Sequence, residues 1–494
     1  MNRHHLSMLT AALLLASLST TACGGDNTGA DTTALTDTSD TTATEIDDGY
    51  LSDNLPDDLD LGGAVVTIHV RGNDNTMMEV DTDAEDGEVL NDAIYSRNRR
   101  IEERLNASIA LYSGEGWANY NSEITKIRAS ISAGDNAWQI IAGWGINITT
   151  LSMENCFLDL QNAAYLDLSQ PWWNQSAVNG LTLGGATYFA TGDVSFLSLL
   201  GGSYVMFLND RLASVHNVED IPDLVRAGTW TLDKLSEISK NISADLNGDG
   251  IFDEHDLYGF VTDLYNSADS FYTAADIHQI TVEDGLPVYT TAEERLTTLM
   301  EKIYPLYHGG NEAGSYMTTD VSLQVNMFYT GQALIIPREL DTAREEFREM
   351  EDNYTIIPFP KLDEAQKSYY TASYNGATLW GIPSTNPEPD TAAAIMEAMA
   401  AETYNTVTPV YFETCLQEKY ARNEDTLEML EIIRETSYLD CEYLYSASFK
   451  NTYYAVRSMI GSKNNNAASW LAKNVKSYQK AVDAMTETLL ASNT

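Results

Sequence analysis

The chain has 494 residues, 44% of them hydrophobic and 10% aromatic, so it is long enough for two or three folded domains. Its 73 acidic residues against 28 Lys and Arg give a net charge of −45. A surface this negative repels nucleic acid and anionic lipid, so electrostatic binding to either is not expected, whereas cations and neutral solutes are compatible with it.

The first 22 residues have the order of a bacterial secretory signal, with one Arg, a short apolar run and small residues before Cys23. The apolar run is too short to span a membrane. Cys23 precedes Gly-Gly, so the site is similar to a bacterial lipobox, in which residues 1–22 are removed and the Cys is lipidated with acyl chains such as palmitate. The alternative is cleavage near Ala22, which would leave a free Cys. Residues 23–57 are then predicted to be the lipidated Cys and a disordered acidic tether.

Three further cysteines, Cys156, Cys415 and Cys441, follow in the mature chain. An odd number without CxxC spacing argues against a disulfide framework or a zinc site. A Cys415–Cys441 bridge stays open as an alternative to buried free thiols.

The first elements alternate between strand and helix. Strands are predicted at 64–70, 107–113 and 138–143, separated by helices at 89–105 and 122–134. This order indicates a parallel sheet covered on both faces. Ligands of such sheets bind beyond the carboxyl ends of the strands, which directs attention to the loops at 71–75 and 143–147.

The middle of the chain continues with a strand-like segment at 186–210, broken at Gly192-Asp193, and a helix at 229–244 with Thr231 as its N-cap. Further strands are predicted at 257–263, 332–337, 353–360 and 378–383. The C-terminal third is predicted to be largely helical, with its last helix starting near Asn466.

Residues 245–256 read DLNGDGIFDEHD, which has the spacing of an EF-type calcium loop. Oxygen ligands fall at every required position, with Gly250 at the turn; the candidate ligands are Asp245, Asn247, Asp249, the Ile251 carbonyl, Asp253 and Asp256. A calcium sensor pairs two loops and moves a helix. Here one loop leads into a strand, so we expect a structural calcium that braces the fold, and the alternative is an acidic turn without metal.

Several motifs occur in the order found in one family. They are NDAIYSRNRRIEERLN, SAGDNAWQIIAG, PWWNQSAVNG, ATYFATGD, TWTLDKLSEISKNISADLNGDGIFDEHDLYGF and NYTIIPFPKLDEAQ. Over about residues 58–450 the chain resembles the extracellular solute-binding lipoproteins of bacterial carbohydrate ABC importers.

The resemblance implies an α/β, two-lobe periplasmic-binding-protein (class II, type 2) fold with crossing hinge strands and a helical C-terminal third. Lobe one is expected to comprise 58–191 plus 353–385, and lobe two 192–352 plus 386–494. The crossings are expected near 192–195, 338–353 and 383–390.

The resemblance also implies a ligand and partners. A carbohydrate, expected to be an oligosaccharide, would bind between the lobes and pass to ABC permease subunits in the membrane. The protein would be a monomer on the extracellular face of the membrane, held by its lipid, with no catalysis of its own. Because sugars place C–H faces on aromatic rings and hydroxyls against planar polar groups, the candidate ligand-binding residues are Arg71, Asp74, Trp144, Asp193, Tyr265, Arg338 and Trp380.

Three alternatives stay open at this point: a secreted glycoside hydrolase, a surface adhesin or sensor, and a binding protein for a solute other than sugar. Carboxylates are plentiful, but no pair occurs in a recognisable acid/nucleophile setting. No nucleophile elbow, HExxH motif or phosphate loop is present in the sequence.

Overall fold

Two β-sheets organise the chain in the computed structural model, which describes residues 50–373, 376–412 and 424–492. The predicted signal segment, Cys23, the predicted tether up to residue 49 and Cys415 lie outside the described residues. The strands are β1 (Ala64–Val70), β2 (Ala107–Ser113), β3 (Ile140–Trp144), β4 (Thr182–Leu183), β5 (Ala186–Thr187), β6 (Tyr204–Asn209), β7 (Ser243–Ala244), β8 (Leu257–Asp263), β9 (Ile280–Glu283), β10 (Leu286–Tyr289), β11 (Ser315–Thr318), β12 (Ala333–Glu339), β13 (Tyr354–Ile357), β14 (Thr371–Ala372), β15 (Thr378–Gly381) and β16 (Ser437–Tyr438).

Helices cover both sheets and make up most of the C-terminal third, as predicted. They are α1 (Asp74–Val80), α2 (Val89–Leu105), α3 (Tyr120–Ala133), α4 (Gly145–Ile148), α5 (Gln175–Leu181), α6 (Asp210–Val215), α7 (Ile221–Arg226), α8 (Leu232–Lys240), α9 (Asn266–Ala274), α10 (Glu293–His308), α11 (Val321–Tyr329), α12 (Thr342–Glu345), α13 (Pro389–Glu402), α14 (Thr408–Val410), α15 (Glu424–Glu435), α16 (Cys441–Leu444), α17 (Ala455–Gly461) and α18 (Ala467–Ser492). No helix in the described ranges is long and apolar enough to cross a membrane.

The first sheet has the strand order β15-β3-β1-β2, and we call the part of the chain built on it lobe one. Strand β1 pairs in parallel with β2 and β3, whereas β15 is antiparallel to β3. Helices α2 and α13 pack on one face and α3 packs on the other. Covering both faces buries Val66, Ile68 and Val70 of β1, which explains why that strand is largely apolar, while Val65 near its start stays exposed.

The second sheet has the order β11-β8-β12-β6-β13, with β7 paired to β8, and forms lobe two. Strands β11, β8 and β12 are parallel to one another, and β6 runs antiparallel to β12 and β13. All seven residues of β8 are buried. The helix before it begins as predicted, because the Thr231 hydroxyl accepts a hydrogen bond from the Lys234 amide at 3.4 Å.

The connection from lobe one to lobe two differs from the prediction. Part of the strand-like segment 186–210 is helical: a 3-10 turn at Asp193–Ser195 and a π-helix at Leu197–Gly201 precede β6. Gly192 is required there, because a Cβ atom would lie 2.0 Å from the Trp172 carbonyl oxygen. The position of the first crossing is therefore fixed by the close approach of the Gly192 and Trp172 backbones.

The later lobe boundaries also need correction. The sequence predicts that 353–385 belong to lobe one. Strand β13 instead pairs with β6 in the second sheet. The chain therefore returns to lobe one near 373–378 and not near 338–353. Helix α13 was assigned to lobe two, but its alanine-rich face packs in the core of lobe one, which small side chains allow. The third crossing therefore follows α13, near 403–412. Helix α15, which comes after it, packs against β13 of the second sheet.

Candidate functional site

The carboxyl ends of β1, β2 and β3 meet at one edge of the first sheet, because these strands are parallel. Arg71 follows β1, Trp117 follows β2 and Trp144 ends β3. The loop after β1 turns at once into α1, because the Asn73 side chain caps that helix by accepting from the Thr76 amide at 3.4 Å. The predicted loops at 71–75 and 143–147 thus lie together.

Three aromatic rings and one guanidinium group are packed together at this edge, with the ring planes tilted or edge-on to one another. The Trp144 ring lies 4.7 Å from the Trp117 ring and 5.5 Å from the Tyr120 ring, between centroids. The Arg71 guanidinium carbon lies 5.1 Å from the centroid of Trp144. Trp144 is only 4% exposed, whereas Trp117 is 70% exposed. Trp144 therefore supports the cluster, and Trp117 offers a ring to an incoming molecule.

Trp117 was missed at the sequence level. The signal that could have found it is the one that selected Trp144, since both follow a strand whose carboxyl end lies at the same sheet edge. Three residues separate Trp117 from the end of β2, whereas Trp144 ends β3 directly.

The second sheet presents a polar group to the same region. Its parallel strand β12 ends in Arg338 and Glu339, and the register pairs Glu339 with Tyr204 at the start of β6. The Glu339 carboxylate accepts from the Tyr204 hydroxyl at 3.0 Å and lies 2.5 Å from an Arg338 nitrogen. Burial raises the pKa of Tyr204, so the hydroxyl keeps its proton and stays a donor.

A cavity of about 210 Å³ lies between the two lobes. Arg71 lines it from lobe one and Arg338 from lobe two, so the structure brings these two predicted residues together. The other polar lining side chains are Asn73, Asn75, Thr76, Ser198, Glu339, Asp341, Thr342 and Glu345. Such a lining offers hydrogen-bond donors and acceptors on several sides of a small polar molecule.

Asn75 joins the two lobes beside this cavity. Its amide nitrogen donates to Asp341 at 2.9 Å and to Glu345 at 3.2 Å. Its amide oxygen accepts from Arg344 at 2.7 Å. One lobe-one side chain thus holds three lobe-two side chains around α12, which favours a closed arrangement of the lobes.

Glu79 of α1 lies behind the cavity and is fully buried. Its carboxyl group accepts from the Ser198 backbone amide, from the Ser198 hydroxyl at 3.1 Å and from the Thr378 hydroxyl at 3.2 Å. Ser198 and Thr378 belong to or adjoin the first two crossings between the lobes. Burial raises the pKa of Glu79 to about 7, because desolvation outweighs these hydrogen bonds and the attraction of Arg71.

Tyr265 lies in a second polar and aromatic group next to Tyr204. Its ring is 42% exposed and lies 5.7 Å from the Arg457 guanidinium carbon. Arg457 donates to Asn266 at 3.0 Å and is ion-paired with Asp269. Burial raises the pKa of Asp269 to about 8 despite this partner. Tyr204, Asn266 and Asp269 line one small pocket, so this group extends the polar surface that begins at Glu339.

Three predicted residues are placed elsewhere. Asp74 is exposed in the first turn of α1 and lies outside the residues that line the cavity. Asp193 lines a different cavity, of about 240 Å³, where Thr408 donates to it at 2.6 Å and burial raises its pKa to about 6. Trp380 is fully buried in the first sheet and donates to the Ser195 hydroxyl at 2.8 Å. Strand β15 turns that ring into the core of lobe one.

The loop at 245–256 lies between β7 and β8, away from the residues that line the cavity. Its side chains accept from the loop's own amides: Asp245 from Gly248 at 2.6 Å and from Gly250 at 2.8 Å, and Asp256 from Leu246 at 2.9 Å. In the described part of the chain, no three acidic, His or Cys side chains gather closely enough to hold a metal ion. Calcium binding here stays a prediction of the sequence.

The predicted free thiols can be checked for two of the three cysteines that follow Cys23. Cys156 and Cys441 are both free and buried. Burial raises the pKa of each thiol, which makes both poor nucleophiles.

A family model matches residues 112–406, more than half of the chain; its description is bacterial extracellular solute-binding protein. No curated protein matches the sequence. The family match confirms the resemblance inferred from the motifs, and it places the chain among binding proteins rather than hydrolases.

Solved structures of low sequence identity share the fold. A cyclo/maltodextrin-binding protein complexed with maltotetraose has 14% identity and a TM-score of 0.55, over 85% of this chain and 98% of that one. The galacto-N-biose-/lacto-N-biose I-binding protein of the ABC transporter from Bifidobacterium longum has 12% identity and a TM-score of 0.57, over 87% and 98%. An ABC substrate-binding protein from Listeria monocytogenes in complex with cycloalternan has 12% identity and a TM-score of 0.51, over 86% and 99%. The predicted two-lobe fold is confirmed.

Proposed function

This chain belongs to the bacterial extracellular solute-binding proteins, and we propose that it is the substrate-binding component of an ABC importer that captures a neutral oligosaccharide between its lobes. The observation that carries the proposal is the exposed ring of Trp117, supported from behind by Trp144 and Arg71 next to a polar cavity between two sheets. The similar structures are of proteins in complex with maltotetraose, cycloalternan and lacto-N-biose, which supports this choice of solute.

The charges around the cavity favour a neutral ligand. Arg338 forms an ion pair with Glu339, and Arg344 forms one with Asp341. These positive and negative charges therefore neutralise each other in the ligand-free protein. Planar paired groups of this kind can bind vicinal hydroxyls, while an ionic sugar would have to displace an existing partner. The C–H face of one sugar ring would lie on Trp117, and its neighbour would enter the cavity.

We infer that both lobes contact the ligand, Arg71 and Trp117 from lobe one and Arg338 and Glu339 from lobe two. Arg71, Arg338 and Glu339 line the cavity, whereas Tyr265 lies outside its lining. A sugar that contacts both sides stabilises the closed form, which is the form that a permease would recognise.

The first experiment is a thermal-shift panel of mono- and oligosaccharides, followed by calorimetry on any sugar that raises the melting temperature. With that sugar, Trp117→Ala is expected to weaken binding by five- to thirtyfold, since loss of an aromatic contact costs about 1–2 kcal/mol. Tyr329→Ala removes another exposed aromatic ring, 41% exposed against 70% for Trp117, from helix α11 and serves as the control. A well-folded protein that responds to no sugar, or equal losses in both variants, would contradict the proposal.

We also propose that Cys23 is lipidated and holds the protein, as a monomer, at the outer face of the membrane. The support is the order of charged, apolar and small residues before Cys23. Labelling cells with an alkyne fatty acid is expected to tag the protein, and Cys23→Ser is expected to abolish the label. A fatty-acid label that persists in Cys23→Ser would show that the lipid is attached to another residue and would contradict the proposal.

The third proposal concerns the loop at 245–256, which we propose binds one calcium ion as a brace of lobe two. The support is the complete EF-type spacing and the exit into a fully buried strand. EDTA is expected to lower the melting temperature while leaving sugar affinity unchanged. Asp249→Asn should reduce the response to EDTA, and no response in the parent protein would rule calcium out.

A further inference from the structure

The C-terminal helical region departs from the composition of the rest of the chain. Residues 443–482 contain five Lys, one Arg and no Asp or Glu. At the overall frequency of 73 acidic residues in 494, a stretch of that length would contain about six. The lysines are Lys450, Lys463, Lys473, Lys476 and Lys480, and all five are exposed.

Three of these lysines share one side of helix α18. Lys473, Lys476 and Lys480 are spaced by three and four residues, so their side chains project in nearly the same direction along about 10 Å of helix. Lys450 joins them across a groove that it lines together with Lys480. We call Lys450, Lys473, Lys476 and Lys480 the lysine face.

The ammonium groups of the lysine face have no carboxylate within ion-pair distance among the residues that the structure describes. Three lysines elsewhere are ion-paired: Lys126 lies 3.5 Å from Glu123, Lys234 lies 3.1 Å from Glu219, and Lys302 lies 2.6 Å from Asp233. What sets the lysine face apart from the remaining lysines is therefore that four ammonium groups are grouped together. In a chain with this excess of acid, the lysine face keeps its positive charge available for an external anion.

The groove beside the lysine face is partly apolar. Its volume is about 560 Å³, and its lining consists of Met153, Ala481, Ala484 and Met485 together with Ser448, Ser477, Thr488, Lys450 and Lys480. Positive charge at the rim and methyl and thioether groups below match a molecule that carries an anionic head on an apolar body.

We propose that the lysine face and its groove bind the surface of an anionic phospholipid membrane. Headgroup phosphates would lie against the lysines, and the upper part of an acyl chain would enter the groove. The face carries Lys and no Arg, and flexible, strongly hydrated ammonium groups suit many phosphate positions, whereas recognition of a fixed carboxylate on a protein favours the planar fork of Arg. Clusters of four or more Lys are typical of such surfaces.

The net charge of −45 does not prevent this contact at physiological ionic strength. The Debye length there is about 8 Å, so acidic groups on the far side of the protein are screened and the local face decides the sign of the interaction. By the same spacing, Asp483 and Glu487 lie on the same side of the helix as the lysines, about one and two turns beyond Lys480, so the positive stretch ends at Lys480. Contact would orient the body on the membrane independently of which solute it carries.

The test is co-sedimentation of the full chain, with Cys23→Ser to exclude a lipid anchor, with vesicles of phosphatidylglycerol and phosphatidylcholine. Binding is expected to the phosphatidylglycerol vesicles in 0.1 M NaCl, and to be lost in 0.5 M NaCl. The double reversal Lys473→Glu/Lys480→Glu is expected to reduce the partition coefficient at least tenfold. The matched control Lys240→Glu/Lys367→Glu makes the same change in net charge at two exposed lysines elsewhere.

The outcomes separate the explanations. Equal loss in the two double variants, or no binding of the parent to phosphatidylglycerol, would overturn the proposal. Binding to polyglutamate in the absence of vesicle binding would also overturn it, and would indicate an acidic protein as the partner. Circular dichroism and sugar calorimetry on each variant show whether a loss reflects unfolding, and they test the proposed sugar site separately.

Discussion

Replacing Glu79 by Gln is expected to stabilise the protein in alkaline solution and to leave it nearly unchanged in acid. The carboxyl group is fully buried between α1 and the crossings at Ser198 and Thr378, and burial raises its pKa from 4.5 to about 7. At about 1.4 kcal/mol for each pKa unit, ionising this group in the folded protein costs about 3 kcal/mol relative to ionising it in the unfolded chain.

The direction of the effect follows from proton binding. The folded state holds the Glu79 proton more tightly than the unfolded state, so the stability that the neutral carboxyl contributes is fully present below pH 4.5. It falls as the pH rises from 4.5 to 7 and is lost above pH 7. Gln is neutral at every pH, and its amide can still accept from the Ser198 amide and donate to the Thr378 hydroxyl.

The assay is urea unfolding of the parent and Glu79→Gln at pH 5 and pH 8.5. Free energies of unfolding within about 1 kcal/mol are expected at pH 5, and the variant is expected to be more stable by about 2–3 kcal/mol at pH 8.5. Other buried carboxyls with raised pKa values, such as Asp269 and Glu442, are present in both proteins and cancel in the difference. The exposed Glu364→Gln should follow the parent at both pH values. If Glu79→Gln did so too, the inferred burial and pKa would be wrong.

Two further changes separate lobe closure from folding. Asn75→Ala removes the hydrogen bonds to Asp341, Glu345 and Arg344, so the lobes should open more easily; we expect five- to tenfold weaker sugar binding by calorimetry and a larger radius of gyration of the free protein by X-ray scattering. Unchanged values of both quantities would show that Asn75 does not hold the lobes. Trp230→Ala removes a fully buried ring whose indole nitrogen donates to the Pro358 carbonyl at 2.9 Å, and it should lower the free energy of unfolding by about 3–5 kcal/mol while the folded fraction keeps its sugar affinity. A specific loss of sugar affinity without loss of stability would instead assign Trp230 to the ligand site.

Sequence periodicity was sufficient for the elements that bury one regular face. Helix Val89–Leu105 has the predicted bounds, and the strand, helix, strand order at the start of the chain gave the parallel sheet. The strand prediction for 186–210 is wrong at 193–201. Its apolar residues suit a strand, but this part forms short helical turns next to the close contact of Gly192 with Trp172. Periodicity describes burial along one element and carries no information on the partner that causes it.

The candidate site divides in the same way. The carboxyl-end rule led to Arg71 and Trp144, because it depends on local strand order that the sequence displays. It gave no reason to distinguish Trp144 from Trp380, since the orientation of a ring with respect to the cleft depends on antiparallel pairing of β15 with β3. The contacts of Asn75 with α12 and of Glu79 with both crossings join residues more than 100 positions apart, which no local pattern reveals.

The sequence by itself determined the start of the first sheet and the loops where a ligand can meet it, because these depend on ordered local patterns of apolar, polar and Gly residues. The family and the two-lobe class followed from the resemblance of its motifs to those of known solute-binding proteins. The tertiary structure alone decided which tryptophan is exposed, where the chain crosses between lobes, and that a strongly acidic protein carries a lysine face. Each of these depends on which distant segments pack against one another. Their packing decides where the chain crosses and in which direction each side chain points.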